Sequence, residues 1–271
     1  MATVVEATDL VLAERRGAVL VLTLNRPERL NAWTDALEKQ YFALLDAAED
    51  DPEVRAIVVT GAGRGFCAGA DMEDLARGAD AVGAAEAALL NRPRPRYFPM
   101  TVRKPMIAAI NGAAAGLGLV EALYCDVRFA TPDVKLTTAF ARRGLVAEYG
   151  ISWMLTRVVG YSAALDLLLS GRVVLGEEAL ALRLVDRLSD ADRVVDDAVA
   201  YAEELATSSA PWSMATIKRQ VQADLGRTFT DAVDAADELM LESFRHPDVA
   251  EGVSSYLERR PPAFAGLEPR S

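Results

Sequence analysis

Two glycine-rich stretches constrain the fold of this chain more than any other feature of its sequence. Residues 61–72 read GAGRGFCAGADM, and residues 111–126 read NGAAAGLGLVEALYCD. Each follows a short apolar run typical of a buried strand, and each leads through small residues into a predicted helix. Two strand–turn–helix elements of this kind can direct two backbone N–H groups to one point. Such a pair of donors stabilises a carbonyl oxygen that gains negative charge.

The spacing of the glycines argues against two familiar nucleotide-binding loops. A dinucleotide fingerprint requires Gly-x-Gly-x-x-Gly, whereas Gly61, Gly63 and Gly65 alternate and Phe66 stands at the sixth position. A phosphate loop would need Lys-Ser or Lys-Thr after a glycine, and neither stretch has that pair. Tight turns alone would explain glycine in one such loop. Two loops of similar design favour a ligand that approaches the backbone closely.

Charge and reactive side chains exclude several classes of function. The net charge of −11 argues against general nucleic-acid binding. Cys67 and Cys125 have no metal-ligand spacing and are expected to be reduced and buried. The single histidine, His246, cannot build a two-histidine metal site and is expected to cap a helix or lie at the surface. With no signal peptide pattern and no apolar run of about 18 residues, we expect a cytoplasmic protein that does not enter a membrane.

Alternation of strands and helices predicts an α/β core with right-handed crossovers. A helix capped by Asn31 or Thr34 is predicted after the first strand, and a second from Asp71 to about Leu90. The predicted strands lie at 18–24, 56–60, 106–110, 127–130, 134–138 and 185–188.

The last third of the chain has a different pattern. Beyond residue 190 the sequence predicts four helices in succession, without an obvious flexible linker before them. We therefore predict an α/β core at 1–189, which would hold coenzyme A and the active site, and a C-terminal helical region at 190–271. The boundary between them is not marked by a linker.

Several of these motifs together resemble the crotonase family, which comprises the enoyl-CoA hydratases and isomerases. The run FCAGAD at 66–71 is highly specific in that order, and the resemblance extends from about Val11 to about Phe264. It implies an α/β fold with a ββα superhelix core and a helical C-terminal region for trimerisation and for covering the active site. A homotrimer or a dimer of trimers would follow. Further matching motifs are NRP at 25–27, KP at 104–105, NG at 111–112 and GR at 171–172.

The resemblance also implies roles for named residues. An oxyanion hole would be formed by the N–H groups of Ala68 and Leu117, although the family usually has glycine where Leu117 stands. A residue donates its backbone N–H whatever its side chain, so leucine at position 117 is compatible with an oxyanion hole. No prosthetic group is implied, because coenzyme A forms part of the acyl-CoA substrate. The residues expected to bind coenzyme A are Arg29, Ala32, Ala70, Asp71, Met72, Gly116, Tyr256 and Arg259.

The chain departs from the hydratases of the family at both catalytic glutamates. Val120 and Phe140 occupy the two positions. Glu121 is adjacent to the first, but one residue along a helix turns a side chain by about 100°. We therefore expect Glu121 to point elsewhere, at the surface or in an ion pair, and do not predict a two-carboxylate hydration mechanism.

A different acid, Glu148, stands where several non-hydratase members of the family have a catalytic aspartate. One carboxylate is enough to move a proton from the α-carbon to the γ-carbon of an enolate. This predicts an isomerase that shifts a double bond between the 3 and 2 positions of an acyl-CoA. Two alternatives stay open: an enoyl-CoA hydratase of fatty-acid or aromatic-acid breakdown that uses Glu148 and a water, and a non-catalytic acyl-CoA-binding protein. The alternative role for Glu148 is that of an N-cap or a surface acid at the start of the helix that follows.

A basic cluster lies between the two halves of the core. We expect these residues to lie in a solvated, mobile loop. The alternative is that their positive charge attracts the phosphates of coenzyme A. The members of the cluster are Arg92, Arg94, Arg96, Arg103 and Lys104.

Overall fold

A mixed six-stranded sheet forms the centre of the molecule. The computed structural model describes residues 9–80 and 92–270. The strand order is β1-β2-β3-β5-β7-β9, with β1 antiparallel to β2 and each later neighbour parallel. These strands are β1 (Val11–Arg16), β2 (Val19–Leu24), β3 (Ala56–Gly61), β5 (Met106–Ile110), β7 (Val127–Ala130) and β9 (Arg187–Leu188).

A second, parallel sheet of three short strands lies beside the first. Its strands are β4 (Gly65–Cys67), β6 (Ala113–Ala115) and β8 (Leu136–Thr137), in that order. Each follows a strand of the main sheet directly, and β4 and β6 then lead into a helix. This succession is the ββα repeat that the family resemblance implies.

The helices fill the connections and the C-terminal region. The first is capped by Thr34, whose side chain accepts from the backbone N–H of Leu37 at 3.2 Å, as one of the two sequence alternatives predicts. Single turns of 3₁₀ helix lie at Pro27–Arg29, Phe98–Thr101 and Ala141–Arg143. Within the described residues the α-helices are α1 (Asp35–Asp50), α2 (Met72–Asp80), α3 (Leu117–Tyr124), α4 (Ile151–Val158), α5 (Tyr161–Ser170), α6 (Gly176–Ala181), α7 (Val194–Ser208), α8 (Pro211–Asp224), α9 (Phe229–Ser243) and α10 (Pro247–Glu258).

The main sheet is covered on both faces. One face packs against α7 through Val194, Ala198 and Ala202, which lie over apolar residues of β2, β3 and β5. The other face joins the small sheet, α1, α3 and α4 in one larger hydrophobic core. A nearly continuous apolar sequence in β3 and β5 is therefore explained by burial on both sides. The boundary near residue 190 stays a prediction, and α7 extends the packing of the core beyond it.

Most sequence predictions for single elements agree with this fold. The strands predicted at 134–138 and 185–188 are shorter than expected, and only Met72–Asp80 of the second predicted helix lies within the described residues. Both cysteines are buried and unpaired. His246 caps α10, because its Nδ1 accepts from the N–H of Asp248 at 3.3 Å. No helix that the structure describes is both long and apolar enough to cross a bilayer.

Candidate active site

A pocket of about 380 Å³ opens where the small sheet meets the start of α3. It has a mainly apolar wall, with Leu75, Phe140 and Leu145 among its lining residues. The structure brings together at this pocket every residue that the sequence assigned to the site except two. These lining residues are Arg29, Ala32, Ala68, Ala70, Asp71, Met72, Gly116, Leu117 and Glu148.

Two glycines allow the backbone segments of the pocket to meet. Gly69 has φ +94°, and a Cβ there would lie 2.6 Å from the carbonyl oxygen of Ala115. A Cβ on Gly118 would lie 2.0 Å from the carbonyl oxygen of Cys67. Both separations are far shorter than a carbon–oxygen contact allows. Glycine at 69 therefore lets the loop after β4 approach the end of β6, and glycine at 118 lets the first turn of α3 approach the end of β4.

The two backbone donors at this junction are those of Ala70 and Leu117. Leu117 is the first residue of α3, so its N–H belongs to the first turn that a helix leaves unsatisfied. Ala70 pairs with Trp33 as an isolated parallel bridge, in which Trp33 bonds to Gly69 and Asp71 on either side of it. The N–H of Ala70 therefore points away from Trp33, and neither donor has an acceptor among residues 9–80 and 92–270.

The prediction that Ala68 supplies a donor to the oxyanion hole is wrong. Its N–H donates to the carbonyl oxygen of Leu30 at 2.9 Å. In a regular strand, residues 68 and 70 would present their N–H groups to the same neighbour. Here Asp71 donates to Trp33 instead, because the positive φ of Gly69 shifts the pairing by one residue. Sequence reasoning placed Ala70 at the site for coenzyme A binding but missed its free N–H.

Glu148 is an acid that lines the same pocket as these two donors. It precedes α4 in a turn that continues through Tyr149, at φ 56°, and Gly150, at φ 74°. Its side chain is 33% exposed and lines the pocket, and one carboxylate oxygen lies 3.6 Å from the guanidinium of Arg96. Burial raises the pKa of Glu148 above its ordinary value, and Arg96 offsets part of that change. The side chain does not cap α4, whose N-cap is Gly150.

The other acids near the pocket are already paired. The carboxylate of Asp71 accepts from Arg26 at 3.0 Å and from the N–H of Glu73 at 3.0 Å, so this side chain holds the start of α2. Glu73 pairs with Arg29 at 3.0 Å on the outer side. Among the described lining residues, Glu148 is thus the one carboxylate without a hydrogen-bonded partner.

Glu121 is not at the surface and has no ion-pair partner in the described ranges, which corrects the sequence prediction. Only 2% of the residue is exposed, and its Oε2 has no hydrogen-bond partner within the described part of the chain. Burial, with a smaller contribution from Glu38, raises its pKa well above the ordinary value. Glu121 does not line the pocket. Of the two positions where hydratases have glutamate, Val120 is buried and Phe140 contributes to the pocket wall.

Tyr256 and Arg259 are the two predicted residues that the structure does not bring to the pocket. They lie at the end of α10, where 83% of Tyr256 is exposed and Arg259 forms the left-handed C-cap at φ 55°. Arg29 does line the pocket, and its ion pair with Glu73 is exposed on both sides. A solvated pair of this kind is weak, so the guanidinium stays available to an anionic ligand.

The sequence is similar to known proteins over nearly its whole length. The family model described as enoyl-CoA hydratase/isomerase matches residues 14–267. A 1,2-epoxyphenylacetyl-CoA isomerase of Escherichia coli K12 is 35% identical over 264 residues, covering 95% of this chain and 99% of the relative. A putative enoyl-CoA hydratase of Thermus thermophilus is 37% identical over 251 residues, covering 92% and 98%.

Solved structures show the same fold over nearly the whole chain. A putative enoyl-CoA hydratase/isomerase family protein from Hyphomonas neptunium superposes with a TM-score of 0.88 at 30% identity, covering 96% of this chain and 99% of that one. A probable enoyl-CoA hydratase/isomerase from Mycobacterium abscessus gives 0.82 at 31% identity, covering 95% and 99%. The chain is therefore an enzyme of the enoyl-CoA hydratase/isomerase, or crotonase, family.

Proposed function

We propose that the enzyme is a single-acid isomerase that moves a double bond between the 3 and 2 positions of an acyl-CoA. The observation that carries this proposal is a single pocket lined by one carboxylate, Glu148, and by two residues whose backbone N–H groups are unpaired within the described chain, Ala70 and Leu117. An enolate needs a base for the α-proton and donors for the oxygen. Glu148 would be the base, and the N–H groups of Ala70 and Leu117 would be the donors. This reaction does not need a second acid.

The proposed reaction conserves atoms and charge. The carboxylate of Glu148 removes a proton from C2 of a 3-enoyl-CoA, and the electron pair moves into the thioester carbonyl. The N–H groups of Ala70 and Leu117 donate to the oxygen as its charge grows, each contributing about 10²–10³ in rate. Glu148 then returns the proton to C4, which leaves the double bond between C2 and C3. Its raised pKa suits a group that must both accept and release a proton near neutrality.

Coenzyme A is proposed to lie along the loop between β4 and α2. Small side chains at Ala32, Ala68 and Ala70 would let the pantetheine approach the backbone, with Met72 at the rim and Arg29 near the phosphates. The apolar wall formed by Leu75, Phe140 and Leu145 favours an uncharged acyl group, either aliphatic or aromatic. The relative named for an epoxyphenylacetyl-CoA is compatible with the aromatic case.

We further propose a cytoplasmic trimer or dimer of trimers, as the family resemblance implies. Large apolar side chains on α8 and α9 support an association of this kind, because they are more than half exposed in the single chain. They include Ile217, Val221, Phe229 and Met240.

Hydration of a 2-enoyl-CoA is the second candidate function, favoured by the relatives named enoyl-CoA hydratase. It would require Glu148 to act alone on a water, because Val120 and Phe140 replace the two family glutamates. The two functions are separated by supplying a 2-enoyl-CoA and a 3-enoyl-CoA in separate reactions and identifying the products. The isomerase predicts interconversion of the two substrates without 3-hydroxyacyl-CoA. Accumulation of hydroxyacyl-CoA at a comparable rate would favour the hydratase instead.

A further inference from the structure

Arg96 lies directly behind the proposed catalytic acid. It stands just before the 3₁₀ turn Phe98–Thr101 and does not line the pocket itself. Its Nη1 is 3.6 Å from Oε2 of Glu148, and its Cζ is 4.1 Å from the centre of the Tyr149 ring. The side chain is 26% exposed, and Nε is buried without a hydrogen-bond partner among the described residues. One guanidinium thus contacts two consecutive residues of the loop that carries the acid.

The distance between Arg96 and Glu148 is suited to a base. At 3.6 Å the two groups attract each other electrostatically but do not form a hydrogen bond. A short bidentate pair would hold both carboxylate oxygens and would disfavour protonation. The observed pair leaves the oxygens free to take and return a proton, while the positive charge still favours the ionised form that must begin the reaction.

Contacts on the far side hold the guanidinium and the loop together. Tyr149 adopts φ 56°, a conformation that a residue with a side chain rarely adopts. Its carbonyl oxygen accepts from the hydroxyl of Tyr124 at 2.7 Å, which ties the loop to the end of α3. Its ring meanwhile supports Arg96 through a cation–π contact. The orientation of Glu148 is thereby linked to Arg96 through Tyr149 as well as through charge.

We propose that Arg96 is a positioning residue that fixes the carboxylate of Glu148 against the pocket through its charge and through its stacking on Tyr149. This inference rests on the proposed function, in which Glu148 carries the proton. Within the described chain, Arg96 and Tyr149 are the charged or titratable neighbours of Glu148, and Arg143 lines the same pocket. Two further charged groups, Glu38 and Arg92, influence the pKa of Tyr149, and they pair with each other.

The test compares the pH dependence of kcat for the wild type, Arg96→Gln and Arg96→Lys with a 3-enoyl-CoA as substrate. Without the positive charge, burial alone acts on Glu148, so its pKa should rise. We expect the acidic limb of the profile to move upward by about one pH unit in Arg96→Gln. Arg96→Lys should reverse most of that shift, because it restores the charge. KM should stay at the wild-type value, because Arg96 does not line the pocket.

Arg94→Gln is the matched control. Arg94 belongs to the same segment but pairs with Asp46 at 2.7 Å and stacks on Phe98, away from Glu148. It should leave the acidic limb unchanged. An acidic limb that stays in place in Arg96→Gln, or that moves equally in Arg94→Gln, would overturn the proposal while leaving the isomerase intact.

A measurement without turnover separates this inference from the proposed function. In protein labelled with ¹³C at the glutamate carboxyl carbons, the Glu148 signal is assigned by its loss in Glu148→Gln and titrated with pH. A higher midpoint in Arg96→Gln than in the wild type supports the coupling even if no substrate is turned over. Equal midpoints reject it, whatever the activity. Activity that survives Glu148→Gln, by contrast, rejects the proposed function.

Discussion

Glu121 and Glu148 are both acids close to the pocket, yet their surroundings differ in every respect that matters for catalysis. Glu121 lies within α3, every residue of which is buried; it does not line the pocket, and no cation pairs with it among residues 9–80 and 92–270. Glu148 lies in a loop, lines the pocket and faces Arg96. Burial raises the pKa of both. A raised pKa therefore does not separate the proposed catalytic acid from the buried one, whereas access to the pocket together with a compensating charge does.

The two acids also differ in what their burial does to the molecule. The protonated form of Glu121 is favoured by an apolar interior that no substrate reaches, so its burial affects stability alone. The half-buried position of Glu148 affects the protonation state of a group that can meet a substrate.

Replacement of the pocket acid should have the largest effect. Glu148→Gln keeps the shape of the side chain but removes the proton carrier, so kcat for a 3-enoyl-CoA should fall by about 10³-fold with KM little changed. The measurement is steady-state kinetics at neutral pH. Glu121→Gln is the matched control, because it makes the same chemical change outside the pocket and should leave kcat unaltered. Equal losses in both variants would contradict the assignment of roles.

A methyl group on Gly69 should have the next largest effect. Its Cβ would collide with the carbonyl oxygen of Ala115 and lie 3.6 Å from the nitrogen of Leu117, so the two backbone donors could not keep their places. Gly69→Ala should lower kcat by about 10²-fold, the contribution of one displaced donor. Gly17 is also at positive φ but has no atom near its Cβ position, so Gly17→Ala provides a control for backbone strain alone. Its kcat should match the wild type.

The sequence predicts the strands of the main sheet well because burial on both faces makes them continuously apolar. It misses β1, whose charged residues Glu14, Arg15 and Arg16 suit an edge strand, and the three-residue strands β4 and β6 within the glycine-rich turns. Such short strands have no periodicity to detect. Their place is fixed by contacts between backbone segments about 50 residues apart, as in the pairing of Cys67 with Ala114.

For the site, the sequence identifies the segments but not all the contacts. The prediction that Glu121 lies at the surface or in an ion pair rests on the rotation of its side chain relative to Val120. That rotation gives the direction of the side chain but not the depth at which the helix is buried. The run LGLVEALY is apolar on nearly every side, a pattern typical of a fully buried helix.

The expectation of a solvated basic loop is wrong for Arg92 and Arg96, whose side chains are 15% and 26% exposed and lie beside Glu38 and Glu148, acids distant in sequence. Arg94 is exposed, as expected, and pairs with Asp46. A pattern within a short stretch of sequence cannot predict ion pairs between residues that are far apart along the chain.

A smaller effect on turnover is expected from shortening the side chain of Leu117, since its contribution to the site is its backbone N–H. Leu117→Ala keeps that donor and should leave kcat within about tenfold of the wild type, well short of the loss from a displaced donor. The leucine is 6% exposed, so its truncation should lower the free energy of unfolding by about 2–4 kcal/mol. Kinetics and urea denaturation measure the two quantities. A fall in kcat as large as that of Gly69→Ala would show that the side chain shapes the hole.

The smallest effect on turnover, and a distinct effect on stability, is expected from Glu121→Gln. In the folded state the pKa of Glu121 is raised, so above the ordinary glutamate pKa of about 4.3 the folded protein holds a proton that the unfolded chain has released. The free energy of unfolding of the wild type should therefore fall as pH rises above about 4.3. Glu121 contributes at most about 1.4 kcal/mol per pH unit to this fall. The glutamine variant cannot ionise and lacks this loss.

Urea denaturation of both proteins from about pH 4 to pH 8 tests this expectation. The variant should be close to the wild type at the acidic end and increasingly more stable toward neutral pH. Glu204→Gln, which removes an exposed carboxylate on α7, should give a curve parallel to that of the wild type. Parallel curves for Glu121→Gln as well would mean that Glu121 ionises inside the folded protein. The contrast with Glu148 would then rest on access to the pocket and on the neighbouring cation, Arg96.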